Sequence, residues 1–121
     1  MTLERKIAGR ARNLVSEVNT KQQPGYRSLC ESLPVLLRTA GLAQATAFLK
    51  AKSEDHKKIY EHMETQFREL GLLGEKDTLI AKTTDPTVTM PQYRMLLEMA
   101  MLVAFWHKRM AQALIEKAAK Q

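Results

Sequence analysis

Few residues in this chain are able to do chemistry. Three histidines stand at positions 56, 62 and 107, a single cysteine at 30, and nineteen lysines and arginines face thirteen acids. His56 and His62 are six residues apart and His107 is far downstream, so no pair has the spacing that sets two imidazoles on one helix face for zinc. No metal site is expected. A Cys30 nucleophile needs a base and an electropositive setting; Arg27 is near in sequence, but no partner histidine is indicated, and Cys30 reads as a small core residue. The sequence contains no Walker loop, no GxGxxG turn and no carboxylate pair that stands out from ordinary helix surface. No catalytic residue, cofactor or small-molecule substrate is therefore assigned, and a non-enzyme is expected.

The remaining chemistry is cationic. The net charge of +6 and the isoelectric point near 9.6 favour anionic partners. Residues 1–52 carry +6, residues 53–89 carry −3 and residues 90–121 carry +3, so a basic beginning and end enclose an acidic middle. Arg5, Arg10, Arg12, Arg27, Arg38, Lys50, Lys52, Lys108 and Arg109 are candidates for phosphate contact, which gives salt-dependent affinity without reading bases. Tyr60, Phe67, Phe48 and Phe105 fall on apolar faces and are assigned to packing. Trp106 and the methionines of the last segment are assigned first to packing as well.

Helices must position these side chains. Leu3, Ile7, Ala11, Leu14 and Val18 form one helical stripe after a Thr2 cap, with Arg5 and Arg12 on one flank and Lys6, Arg10 and Glu17 on the other. Thr20–Gly25 reads as a connection. Tyr26–Lys52 reads as two helices meeting at Gly41, the first burying Leu29, Leu33, Leu36 and Leu37 with a kink or restart at Pro34, the second burying Leu42, Ala45, Phe48 and Leu49. Leu37 and Ala47 fit poorly at the positions where a DNA-reading helix-turn-helix packs, so that motif is set aside. Ser53 caps a fourth helix with the stripe Ile59, Met63, Phe67 and Leu70, ending at Gly71. A short turn through Leu79 and Ile80 and a polar loop over 82–89 lead to a last helix spanning 90–120, opened by a Thr89/Gln92 capping box. Its run Met99–Trp106 is eight apolar residues long, far below the roughly 20 of a membrane span, and is expected to be buried on all sides. His107 shares a stripe with Tyr93, Ala100, Ala104, Ala111, Leu114 and Ala118, where a hydrogen-bonded core or interface histidine is expected. The expected fold is all-α: one compact domain over 1–121, of five to six helices around a long C-terminal helix. A cytoplasmic location without a membrane partner is expected.

Two blocks carry a resemblance: Tyr26-Arg27-x-Leu29 continuing through Leu33-Pro34, Gly41-Leu42 and Phe48-Leu49, and Tyr93 leading to Trp106-x-Lys108-Arg109. Together they resemble the small subunit of the Cmr-type (type III-B) CRISPR effector complex, in order and length over roughly residues 3 to 119. The resemblance implies an all-helical, non-catalytic scaffold for antiviral defence. It would stack in several copies as a minor filament, beside other subunits of that complex and beside guide RNA and target RNA. Arg27, Arg38, Lys50, Lys52, Lys108 and Arg109 are the candidate RNA-binding residues, Arg109 matching the pattern best. His107 departs from it, standing where an aliphatic residue is usual. The alternative is an independent basic helical nucleic-acid-binding regulator.

Overall fold

A computed structural model describes residues 2–117. Among them six helices follow one another: α1 (Leu3–Ser16), α2 (Gln23–Ala40), α3 (Leu42–Ala51), α4 (Glu54–Glu69), α5 (Leu79–Thr83) and α6 (Met90–Leu114). At 25 residues, α6 is about 37 Å long and packs most extensively against α2 and α1, while α3 lies against α4 and α5. The all-α expectation around a long last helix therefore holds. The stretch that the sequence assigns to that helix ends earlier, at Leu114, and Ala118 and Lys120 lie outside the described residues.

Local chemistry sets most boundaries. Thr2, Ser53, Thr78 and Thr89 each accept a backbone N–H from the third residue onward, meeting one of the donors that a helix start leaves orphaned. At α6 the capping box is complete: Gln92 N–H donates to Thr89 Oγ1 at 3.3 Å and Thr89 N–H to Gln92 Oε1 at 2.9 Å. Gly71, at φ +77°, closes α4 in a Schellman motif, with Leu72 N–H donating to Phe67 O and Gly71 N–H to Arg68 O. Gly41, at φ +83° and ψ 165°, is at once the C-cap of α2 and the N-cap of α3; its N–H donates to Leu37 O and its carbonyl accepts from Ala45 N–H. Having no side chain, Gly41 leaves the start of α3 uncapped locally, and Tyr93 of α6 supplies the acceptor for Ala43 N–H at 3.0 Å. Likewise α4 caps α5, Glu64 accepting from Leu79 N–H and Tyr60 from Ile80 N–H.

Four expectations are corrected. Pro24 and Gly25 lie in the first turn of α2, where a proline N–H is not missed, instead of in a connection. Pro34 does not restart the helix: α2 runs through it with the ring buried. Phe48 is 41% exposed, its ring set edge-on against His56 of α4 at 5.2 Å and not enclosed; Thr46 is buried instead, bonded to Thr83 of α5 at 3.0 Å. The run Met99–Trp106 is not enclosed: Ala100, Val103 and Ala104 are buried, but Phe105 is 40% exposed and Met99, Met101, Leu102 and Trp106 are half-buried. Packing from α1 and α2 covers two flanks of α6 and leaves its outer face open.

Candidate nucleic-acid interface

Two polar groupings result, one inside the bundle and one on its surface. Inside, Tyr26 of α2 brings together His62 of α4 and His107 of α6; its hydroxyl lies 2.7 Å from His62 Nδ1 and 3.0 Å from His107 Nδ1. His107 Nε2 bonds Gln66 Oε1, and Gln66 Nε2 donates to Ile7 O of α1 at 3.2 Å. The backbone carbonyl of Ile7 only accepts, which orients the Gln66 amide and sets a proton on His107 Nε2; with His107 neutral the rest of the chain follows. His107 carries its proton on Nε2, its Nδ1 accepts from Tyr26 O–H, and Tyr26 oxygen accepts from His62 Nδ1–H. Burial disfavours the charged form of both imidazoles. Burial pushes His62 down to about 4, with Lys58 and Arg10 adding to the shift, and pushes His107 down to about 3, with His62 adding.

Burial also raises the Tyr26 hydroxyl and pushes the adjacent Cys30 thiol up to about 12. A thiol held protonated is a poor nucleophile, so Cys30 belongs to the packing, as its sequence setting suggests. Among the described residues no group of three or more His, Cys, Asp or Glu is placed to hold a metal. The network is a satisfied, enclosed polar core.

The surface grouping is cationic. Of the six residues singled out from the sequence, Arg27 is set apart by its contacts. It donates to Ile115 O at 2.8 Å, pairs with Glu31 at 3.2 Å and keeps a side chain only 16% exposed, so it ties the end of α6 to α2. Arg38, Lys50, Lys52 and Arg109 are exposed and Lys108 is half-buried. None of these five has a carboxylate within 4.0 Å among the described residues, whereas Arg10, Lys57, Lys58 and Arg68 pair with acids. Lys50 and Lys52 lie 4.8 Å from the ring centres of Tyr60 and Phe48, contacts that leave their charge facing water. Lys50 and Lys52 share the end of α3, Lys108 and Arg109 share α6, and Arg38 stands alone near the end of α2. Arg5 and Arg12 of α1, also exposed and without an acid among the described residues, belong with them but are not among those six. Their shared flank was legible; that α6 lies beside it was not.

Such an arrangement defines a class: a small helical bundle with a self-contained polar core and an uncompensated cationic surface. The sequence model of the CRISPR-associated protein family Cas_Cmr5 matches residues 3–114, and the chain belongs to that family. It is similar to the CRISPR system Cmr subunit Cmr5 of Thermus thermophilus, with 35% identity over 92 residues that make up 76% of each protein. The crystal structure of a CRISPR-associated Cmr5 family protein from the same organism superposes with a TM-score of 0.74 at 30% identity, covering 96% of this chain and 100% of that one.

Proposed function

We propose that this chain is a non-catalytic small subunit of a type III-B CRISPR effector complex in the cytoplasm. Its copies stack as a minor filament beside the other subunits, and a basic face contacts target RNA or the guide–target duplex. Membership of the Cmr5 family and the similarity to a protein named as a Cmr subunit support the assembly. The observation that supports the RNA contact is that Arg38, Lys50, Lys52, Lys108 and Arg109, in common with most of the surface cations, have no acid partner among the described residues, whereas Arg10, Arg27, Lys57, Lys58 and Arg68 do. Cations without acid partners are free to neutralise phosphates, and affinity then grows as neighbouring copies engage one strand.

Purification of the tagged native protein tests this reading. Co-purification with guide RNA and several further subunits is the expected result. The isolated protein should bind RNA weakly and with steep salt dependence. Recovery of the protein alone, with tight and sequence-selective binding to duplex DNA, would identify an independent regulator instead.

A further inference from the structure

Between α1 and α6 lies a groove of about 520 Å³, lined by Arg5, Ala8, Gly9, Arg12, Trp106 and Met110. The four α1 residues fall at i, i+3, i+4 and i+7, one helix face, and the two from α6 are one turn apart. Ala8, Gly9, Met110 and the indole form an apolar floor. The two arginines stand about 10.5 Å apart along the helix axis. Both are exposed and neither has a carboxylate within 4.0 Å among the described residues.

Gly9 gives the groove its meaning. A glycine inside a helix costs about 1 kcal/mol relative to alanine. A Cβ at Gly9 would meet nothing within 4 Å, so no neighbour in the fold requires the residue to be small. Its smallness instead keeps the groove open to the outside. An apolar slot with an aromatic wall and two unpaired guanidinium groups matches an unstacked base and its flanking phosphates. The exposed aromatic residues of a second copy of this chain fit less well. Its exposed Phe48 carries Lys52 over the ring and its exposed Phe105 lies one turn from Lys108 and Arg109, so either would bring cations against Arg5 and Arg12.

We propose that the α1–α6 groove receives one unstacked base of a single-stranded RNA, with the base against Trp106 and with Arg5 and Arg12 on the phosphates to either side. The proposal rests on the RNA-contacting reading above and names a site for it outside the five cations already discussed. It also explains a pairing of residue types, aromatic and cationic, that packing alone does not require.

Trp106 is the only tryptophan of the chain, so its emission reports on the groove alone. The full-length protein is titrated with fluorescein-labelled oligouridine and with an abasic oligomer of equal length, following anisotropy and tryptophan emission together. Oligouridine should quench Trp106 and the abasic oligomer should not. Gly9→Met sends a long apolar side chain into the groove from a position where an added Cβ meets nothing within 4 Å; it should abolish the quenching and weaken oligouridine binding roughly tenfold, with the melting temperature maintained. Arg5→Gln with Arg12→Gln should flatten the log–log salt slope by about 1.4, or about 0.7 for each phosphate released. Binding by anisotropy with unchanged Trp106 emission and full affinity in Gly9→Met would overturn the groove while leaving the RNA reading intact. Loss of self-association in Gly9→Met with oligouridine binding unaffected would overturn it in favour of a second copy. Absence of RNA binding by both the isolated protein and the native complex would overturn the RNA reading itself.

Discussion

Around Tyr26, polar groups from α1, α2, α4 and α6 each hold a partner, whereas Arg38, Lys50, Lys52, Lys108 and Arg109 on the surface have no acid within 4.0 Å among the described residues. Dielectric environment explains the contrast. Inside the bundle an unpaired donor or acceptor costs about 1–3 kcal/mol, so every group must be matched. At the surface, water solvates a lone cation at little cost, and the charge stays available for a partner. Arg27 shows that residue type does not decide the matter: it is an arginine with the inner habit, fixed on a carbonyl and a carboxylate.

The inner region should be the most sensitive. His107→Ala removes bulk, takes the acceptor from the Tyr26 hydroxyl proton and strands Gln66 Oε1, and should cost about 3–5 kcal/mol by denaturant unfolding. The same region sets the response to acid. Both histidines have folded values below the ordinary 6.5, near 4 for His62 and near 3 for His107, so the unfolded chain takes up protons that the native one refuses. Their contribution is complete above about pH 6.5 and is lost as pH falls toward those folded values, by about 1.4 kcal/mol per pH unit for each histidine. A flat unfolding free energy between pH 6.5 and 4 would contradict the neutral network.

Next in size is Arg27→Met, expected to cost about 1–2 kcal/mol through the lost carbonyl and carboxylate bonds, set beside Arg109→Met at within about 0.5 kcal/mol. Equal losses would erase the distinction between the two arginines. Gly9→Ala should raise stability by about 0.5–1 kcal/mol, since its added Cβ meets open space, and a loss in thermal unfolding would show hidden crowding there. Smallest is Lys50→Glu with Lys52→Glu, which should shift stability by only about 0.5 kcal/mol while weakening target-RNA capture by the complex. Undiminished capture at physiological salt would place the RNA on another face.

Features decided within a turn or two were legible in the sequence. Thr2, Ser53 and Thr89 act on residues three positions away, and Gly41 and Gly71 end helices through their own backbones. Ion pairs along α4 are equally local: Glu64 meets Arg68 one turn on, at 3.8 Å, and Lys57 and Lys58 meet Glu54 and Glu61 at three-residue spacing. What lay beyond reach was long-range. Tyr26 meets partners 36 and 81 residues away, and Arg27 meets one 88 away, distances at which periodicity carries no information. The stripe rule also overcounted burial, since it marks Leu3, Phe48 and Leu114 as apolar-face residues without showing where the neighbouring helix stops. The family blocks held more than packing: Tyr93 caps α3, Arg27 holds α6, and Trp106 borders the groove.

The joint at Gly41 has a practical consequence. With one residue serving both α2 and α3, that junction contains no slack, and an inserted amino acid would turn one helix about the other by roughly 100°. The exposed turn at Asp85–Thr87, held by its own Asp85–Thr87 hydrogen bonds, can lengthen without moving a helix. A tether, fluorophore or affinity handle intended for the assembled particle therefore belongs at 85–87, where it would lengthen a turn and leave the bundle's geometry alone.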